Sequence, residues 1–176
     1  MSMTVEQFLS FSESEQLQTV KELNDTGNVK TIIDVLTSVG IENLSISLLG
    51  ELGRAYNNNG NEKEAIKVLE SIDEEYRDAV WYYRCAYAYG AIASDNNESY
   101  TSDIMKQMLR LVDQGVRLAQ EKNLDDIKSY CFVQILIIIN HSTHFIGGVI
   151  FFHILSSIAD RFIIEPLQSC PGILYI

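Results

Sequence analysis

Three histidines, three cysteines and one dense aromatic cluster are the side chains of this 176-residue chain whose types and spacing suit chemistry. His141 and His144 stand three apart and would share a helix face, with His153 in reach after a turn, which is the beginning of a metal site. Such sites usually add a nearby carboxylate or thiolate, and the nearest acid is Asp160, so no metal is expected. Cys85, Cys131 and Cys170 are widely spaced and odd in number, with no CxxC pair, which reads as reduced thiols in a cytoplasmic protein. Cys85 falls on the apolar side of its segment and reads as a small core residue. No GxSxG, GxxxxGK[ST] or GxGxxG occurs, so neither an enzyme nor a cofactor is expected. In the aromatic cluster, helical spacing puts Tyr82, Ala86 and Tyr89 on one packing face and Tyr83 and Tyr87, four apart, on another; Trp81 adjoins them. The chemistry left to this chain is recognition.

The elements that position those side chains are most legible in ISLLGELGRAYNNNGNEKEAIKVLESIDEEYRD, residues 46–78. Leu49, Leu52, Gly53 and Tyr56 lie on one face of a first helix. Residues 57–61, with Gly60 inside, end it, since Asn and Gly tolerate the left-handed conformation that a helix terminus needs. Ala65, Leu69 and Ile72 recur at spacings of four and three as the core stripe of a second helix.

This stretch resembles a tetratricopeptide repeat. Leu49, Leu52-Gly53, Tyr56, Gly60, Ala65, Leu69 and Ile72 fill the slots of that motif in order. It departs at Ile72, where the family has alanine, and at Arg77, where it has a closing proline, which leaves the exit turn less sharply specified. The segments RAYNNNGNEKEAIKVLESI and WYYRCAYAYG are similar to those of bacterial proteins of this family.

Internal repetition supports the hairpin reading. The step that carries Leu23 onto Tyr56 carries Tyr56 onto Tyr89 and Gly27 onto Gly60, and it maps Ile32, Leu36 and Val39 onto Ala65, Leu69 and Ile72. A period within the range of about 20–50 residues means stacked units, none of which buries its apolar face alone, and roughly three are needed. In the first unit Leu17, Val20 and Leu23 form the stripe of one helix, 25–28 the turn, Val29 to Val39 the second helix, and Gly40 its cap. In the third, Trp81, Tyr82, Ala86 and Tyr89 fit the first helix. A polar loop at 93–101 delays the second, whose stripe is Val112, Val116 and Ala119. Residues 13–122 thus read as three repeats, the last with a longer connection that is a candidate contact loop.

Acidic residues exceed basic ones by 24 to 13, and no basic cluster occurs, which excludes nucleic acid as a partner. The start, MSMTVEQFLSFSESEQ, lacks the basic and apolar regions of a secretory signal. The chain divides into a repeat region, 1–128, and an apolar tail, 129–176. No charged residue occurs between Lys128 and Asp160, yet the apolar runs within 131–159 are broken by Asn140-His141-Ser142-Thr143-His144 and fall short of the about 20 residues of a membrane span. The tail reads as a packed cap on the last repeat, as a membrane anchor, or as a non-native extension such as a shifted frame. Exposed, it would also drive self-association.

The resemblance implies an all-α fold, a right-handed solenoid of antiparallel helical hairpins whose first helices line a concave groove for a peptide or helix of another protein. The groove slots hold Lys21 and Asn24 in the first repeat, Arg54, Asn57 and Asn58 in the second, and Tyr83, Arg84 and Tyr87 in the third. Arg and Tyr are favoured interface anchors, and two arginines beside asparagines suit a peptide carboxylate. The family's carboxylate-clamp subset is matched at Arg84, with Lys21 a second candidate, but Gly50 and Glu51 stand where the middle repeat should contribute. The expected function is a cytoplasmic, non-enzymatic adaptor or scaffold; the alternative is a tail-anchored membrane protein presenting its repeats to the cytosol.

Overall fold

The computed structural model describes residues 3–99, 102–125 and 127. All of them belong to the first of the two compact units into which backbone contacts divide the chain, Met1–Ile138. The expectations for the tail, with its three histidines, Cys131, Cys170 and the apolar runs within 131–159, lie outside the described residues.

Among the described residues the fold is all-α, with no strand: α1 (Val5–Leu9), α2 (Glu13–Asp25), α3 (Val29–Val39), α4 (Ile46–Asn58), α5 (Glu62–Glu70), α6 (Ala79–Asp95) and α7 (Asp103–Glu121). Short 3-10 turns at Ile41–Asn43 and Glu74–Tyr76 join successive hairpins. None of these helices is long and apolar enough to cross a membrane. Helix starts are signalled locally. Ser12 and Glu15 form a capping box at α2, and Ser45, Asp78 and Ser102 accept the N–H three residues on at α4, α6 and α7.

Four helices end by one device. Gly27, Gly60, Asn97 and Asn123 take positive φ, and the N–H of the next residue donates back to the carbonyl of Leu23, Tyr56, Ala93 and Ala119 respectively. This corrects the expected extent of the third connection. The residue one period past Gly60 is Ala93, whose Cβ disfavours the left-handed conformation, so α6 continues for one more turn until Asn97 ends it. Helix α6 therefore has 17 residues where α2 and α4 have 13. Ala93, Ser94 and Asp95 are helical, and the connection to α7 begins at Asn96.

Each hairpin touches the next: α2 packs on α3 and α4, α4 on α3, α5 and α6, α5 on α6, and α6 most extensively on α7. Most of the periodic set read from the sequence is core: Val20, Ile32, Leu36, Leu52, Ala65, Leu69, Ile72, Ala86, Val112, Val116 and Ala119 are buried, whereas Leu17, Leu23, Val39, Tyr56, Tyr82 and Tyr89 are half-buried. Arg77 occupies the position where the motif this stretch resembles has its closing proline. Its guanidinium donates from Nε to the Ile72 carbonyl at 2.9 Å and from Nη2 to that of Glu70 at 3.3 Å, and lies 4.4 Å over the Trp81 ring. The Trp81 indole donates to the Leu69 carbonyl at 2.7 Å, tying α6 to the end of α5. The exit turn is fixed by a side chain capping carbonyls at the end of α5 rather than by a ring in the backbone.

Gly53 sets how closely α4 and α5 approach, because a Cβ there would stand 2.5 Å from the Leu69 Cγ. Gly53→Ala should lower stability by about 1–2 kcal/mol, overpacking outweighing the gain in helix propensity. In that background Leu69→Ala should cost less than it does alone, a coupling that a double-mutant cycle in urea measures.

Cys85 is buried, and its removal from water, with Glu70 adding to the effect, pushes the thiol up to about 12 from 9.0. Burial and the hydrogen bond to Glu70 push Tyr89 to about 12 from 10.0. Both groups are neutral in the fold and ionise more readily in the unfolded chain. Stability should thus be intact below pH 9 and fall as pH rises towards 12. Urea midpoints taken below pH 9 and in steps above it should show this decline, with a later onset for Cys85→Ala and a shallower upper part for Tyr89→Phe.

Candidate functional site

Glu51 is an acid in the middle of an apolar helix face, between Leu48, Leu52 and Ala55 at helical spacing, and all four residues are buried. Its carboxylate is matched on three sides. Arg84 Nη2 donates to Oε1 at 2.7 Å, Asn24 Nδ2 donates to Oε2 at 2.9 Å, and Arg54 Nη1 lies 3.5 Å from Oε2. Arg54 turns its other nitrogen to Asp25 Oδ1 at 2.7 Å. Helices α2, α4 and α6 are thereby joined by two guanidinium groups and two carboxylates whose charges cancel.

The two asparagines repeat one interaction. Asn24 Nδ2 donates to the Glu51 carbonyl at 3.1 Å. One period later, Asn57 Nδ2 donates to the Arg84 carbonyl at 2.9 Å, and Arg84 stands to Glu51 as Asn57 stands to Asn24. Each bond ties a first helix to the first helix of the next hairpin. In each residue Oδ1 is buried and has no donor among the described residues. Gly50 leaves room for the Arg84 guanidinium, since a Cβ there would come within 3.0 Å of its Nη1. Gly50 and Glu51, which break the carboxylate-clamp pattern, are thus the residues that accommodate Arg84.

A cleft of about 300 Å³ opens beside this cluster, lined by Arg54, Asn57 and Asn58 of α4, Val80, Tyr83, Arg84 and Tyr87 of α6, and Ile127. Six of the eight groove residues proposed from the sequence meet there. Asn24 does not: it is buried, with its amide bonded to Glu51. Lys21 is exposed and does not line the cleft. The arginines differ from the expectation as well. Their guanidiniums already hold the protein's own carboxylates, with side-chain exposures of 33% for Arg54 and 15% for Arg84. Tyr87, 38% exposed, and Asn58 are the accessible members. Val80 and Ile127 complete the apolar wall, and neither was singled out from the sequence. For Glu51 a signal did exist, a lone charge inside an apolar stripe.

Among the described residues no group of three or more His, Cys, Asp or Glu side chains is placed to hold a metal ion. Comparison with protein-family models, with curated proteins and with solved structures returns no match.

Glu51→Ala should lower stability by about 3 kcal/mol in urea denaturation, because it leaves Arg84 and Asn24 without their acceptor in a poorly solvated place. Glu51→Leu combined with Arg84→Met should recover most of that loss, as apolar pairs of similar volume do when they replace a buried ion pair. A cost within about 0.5 kcal/mol for the single change would show that the carboxylate does not hold the three helices together.

Proposed function

We propose that this chain is a non-enzymatic interaction scaffold of the tetratricopeptide type, a right-handed solenoid of about three hairpins with a cytoplasmic partner. It needs neither metal nor cofactor. The partner supplies a peptide or helix that enters the groove between successive first helices. One observation carries this reading: residues chosen as groove-facing on two different repeats converge on a single cleft between α4 and α6. The cleft's size lies at the lower end of the range for small-molecule sites, which suits one or two anchoring side chains of a longer segment. Its accessible tyrosine belongs to the residue types that anchor interfaces.

The second reading, a tail that anchors the repeats to a membrane, is favoured by the absence of charge between Lys128 and Asp160. Retention in the membrane fraction after alkaline wash would support it, and release would remove it.

A photoreactive phenylalanine at position 87 should crosslink one defined protein in cells, and the same group at Tyr76, which is exposed but outside the cleft, should not. Tyr87→Ala should weaken binding of that protein by about tenfold with little change in melting temperature. Equal crosslinking from both positions would remove the groove as the site.

A further inference from the structure

We infer that the cleft selects a basic segment with an apolar centre, laying a lysine or arginine side chain on Tyr87, and that it rejects acidic segments and terminal carboxylates. This rests on the groove reading above and reverses the charge preference that the two arginines suggest in sequence. The reversal follows from the pairing. A carboxylate entering the cleft would have to draw Arg84 from Glu51 at 2.7 Å, with only 6% of the Glu51 side chain exposed, or Arg54 from Asp25, also at 2.7 Å. Separating the buried pair would strand a desolvated charge, a larger penalty than the new contact repays. Arg84 is therefore a poor receptor for an external anion, and Arg54, though one-third exposed, already divides its charge between Asp25 and Glu51.

What the cleft offers unpaired is of the other kind. Tyr87 presents an exposed ring to the chain's surroundings, and aromatic faces attract ammonium and guanidinium groups. Asn57 is buried and lines the cleft, and among the described residues its Oδ1 has no donor; a partner N–H reaching it as the cleft side chains adjust would satisfy it. Val80 and Ile127 provide the wall for an aliphatic or aromatic neighbour. The long-range field has the same sign. After Ile127 the chain holds two bases, Lys128 and Arg161, and two acids, Asp160 and Glu165, so the whole net charge of -11 belongs to residues 1–127. A basic segment is steered towards such a surface and an acidic one repelled.

The test is a selection of short random peptides, displayed both with free carboxyl ends and internally, on the purified full chain. Affinities of the enriched sequences are then measured by fluorescence anisotropy. Enriched peptides should carry Lys or Arg beside Val, Leu or Phe, show no preference for a free carboxyl end, and bind more weakly as salt is raised. Tyr87→Ala should weaken them by about tenfold and Tyr87→Phe should restore most of that, because the ring face persists. Arg54→Ala should tighten them by about threefold, since Asp25 then loses its counter-ion. Enrichment of acidic or carboxyl-terminal sequences that still depend on Tyr87, or weaker binding in Arg54→Ala, would overturn this inference and leave the groove standing. Enriched peptides indifferent to Tyr87→Ala, or no enrichment at all, would overturn both.

Discussion

A carboxylate cannot be taken into a helical core unless its charge and its lone pairs are met there. Glu51 imposes that condition on the middle of this fold. Arg84, Asn24 and Arg54 meet it from α6, α2 and α4. The consequences spread outward. Arg84 must reach across at the position where Gly50 has no Cβ, and Arg54, held between Glu51 and Asp25, is fixed at the rim of the cleft. Glu51 and Arg84 occupy equivalent positions of successive repeats, so a repeat position has become one half of an ion pair in one unit and the other half in the next. Buried polar contacts fix register in some proteins, and here such contacts join α2, α4 and α6.

Around that cluster, the hairpins are delimited by backbone geometry at their ends. Residues able to hold positive φ stop α2, α4, α6 and α7, and where the periodic position carries Ala93 the helix runs on by a turn to Asn97. The exit of the second hairpin uses a guanidinium capping carbonyls under a tryptophan ring. Both are local solutions to the same requirement, that terminal carbonyls find donors, reached with residues other than the repeat pattern calls for.

The cleft takes its character from both. Its two cations are turned to internal acids, its polar floor is an asparagine engaged through its amide, and its accessible surface is tyrosine and aliphatic carbon. Such a surface is electrically quiet at short range inside a strongly acidic unit. The field in and around the cleft is therefore set by the surrounding acidic residues and the aromatic face rather than by the two arginines.

The helices, their order, their packing stripes and the capping glycines were legible in the sequence because they are set by helical spacings and by one repeat period, which a chain displays in one dimension. Six of the eight residues that the family resemblance assigns to a groove line one cleft. The tertiary structure alone decided what each polar side chain binds. Asn24 and Asn57 are buried cross-links and Arg54 and Arg84 are internally neutralised, because most of their partners lie a whole repeat away along the chain. Periodicity says which face a residue is on; whether a charge there is open to a ligand or matched within the fold depends on distances of a few ångströms between helices, and those exist only once the chain has packed.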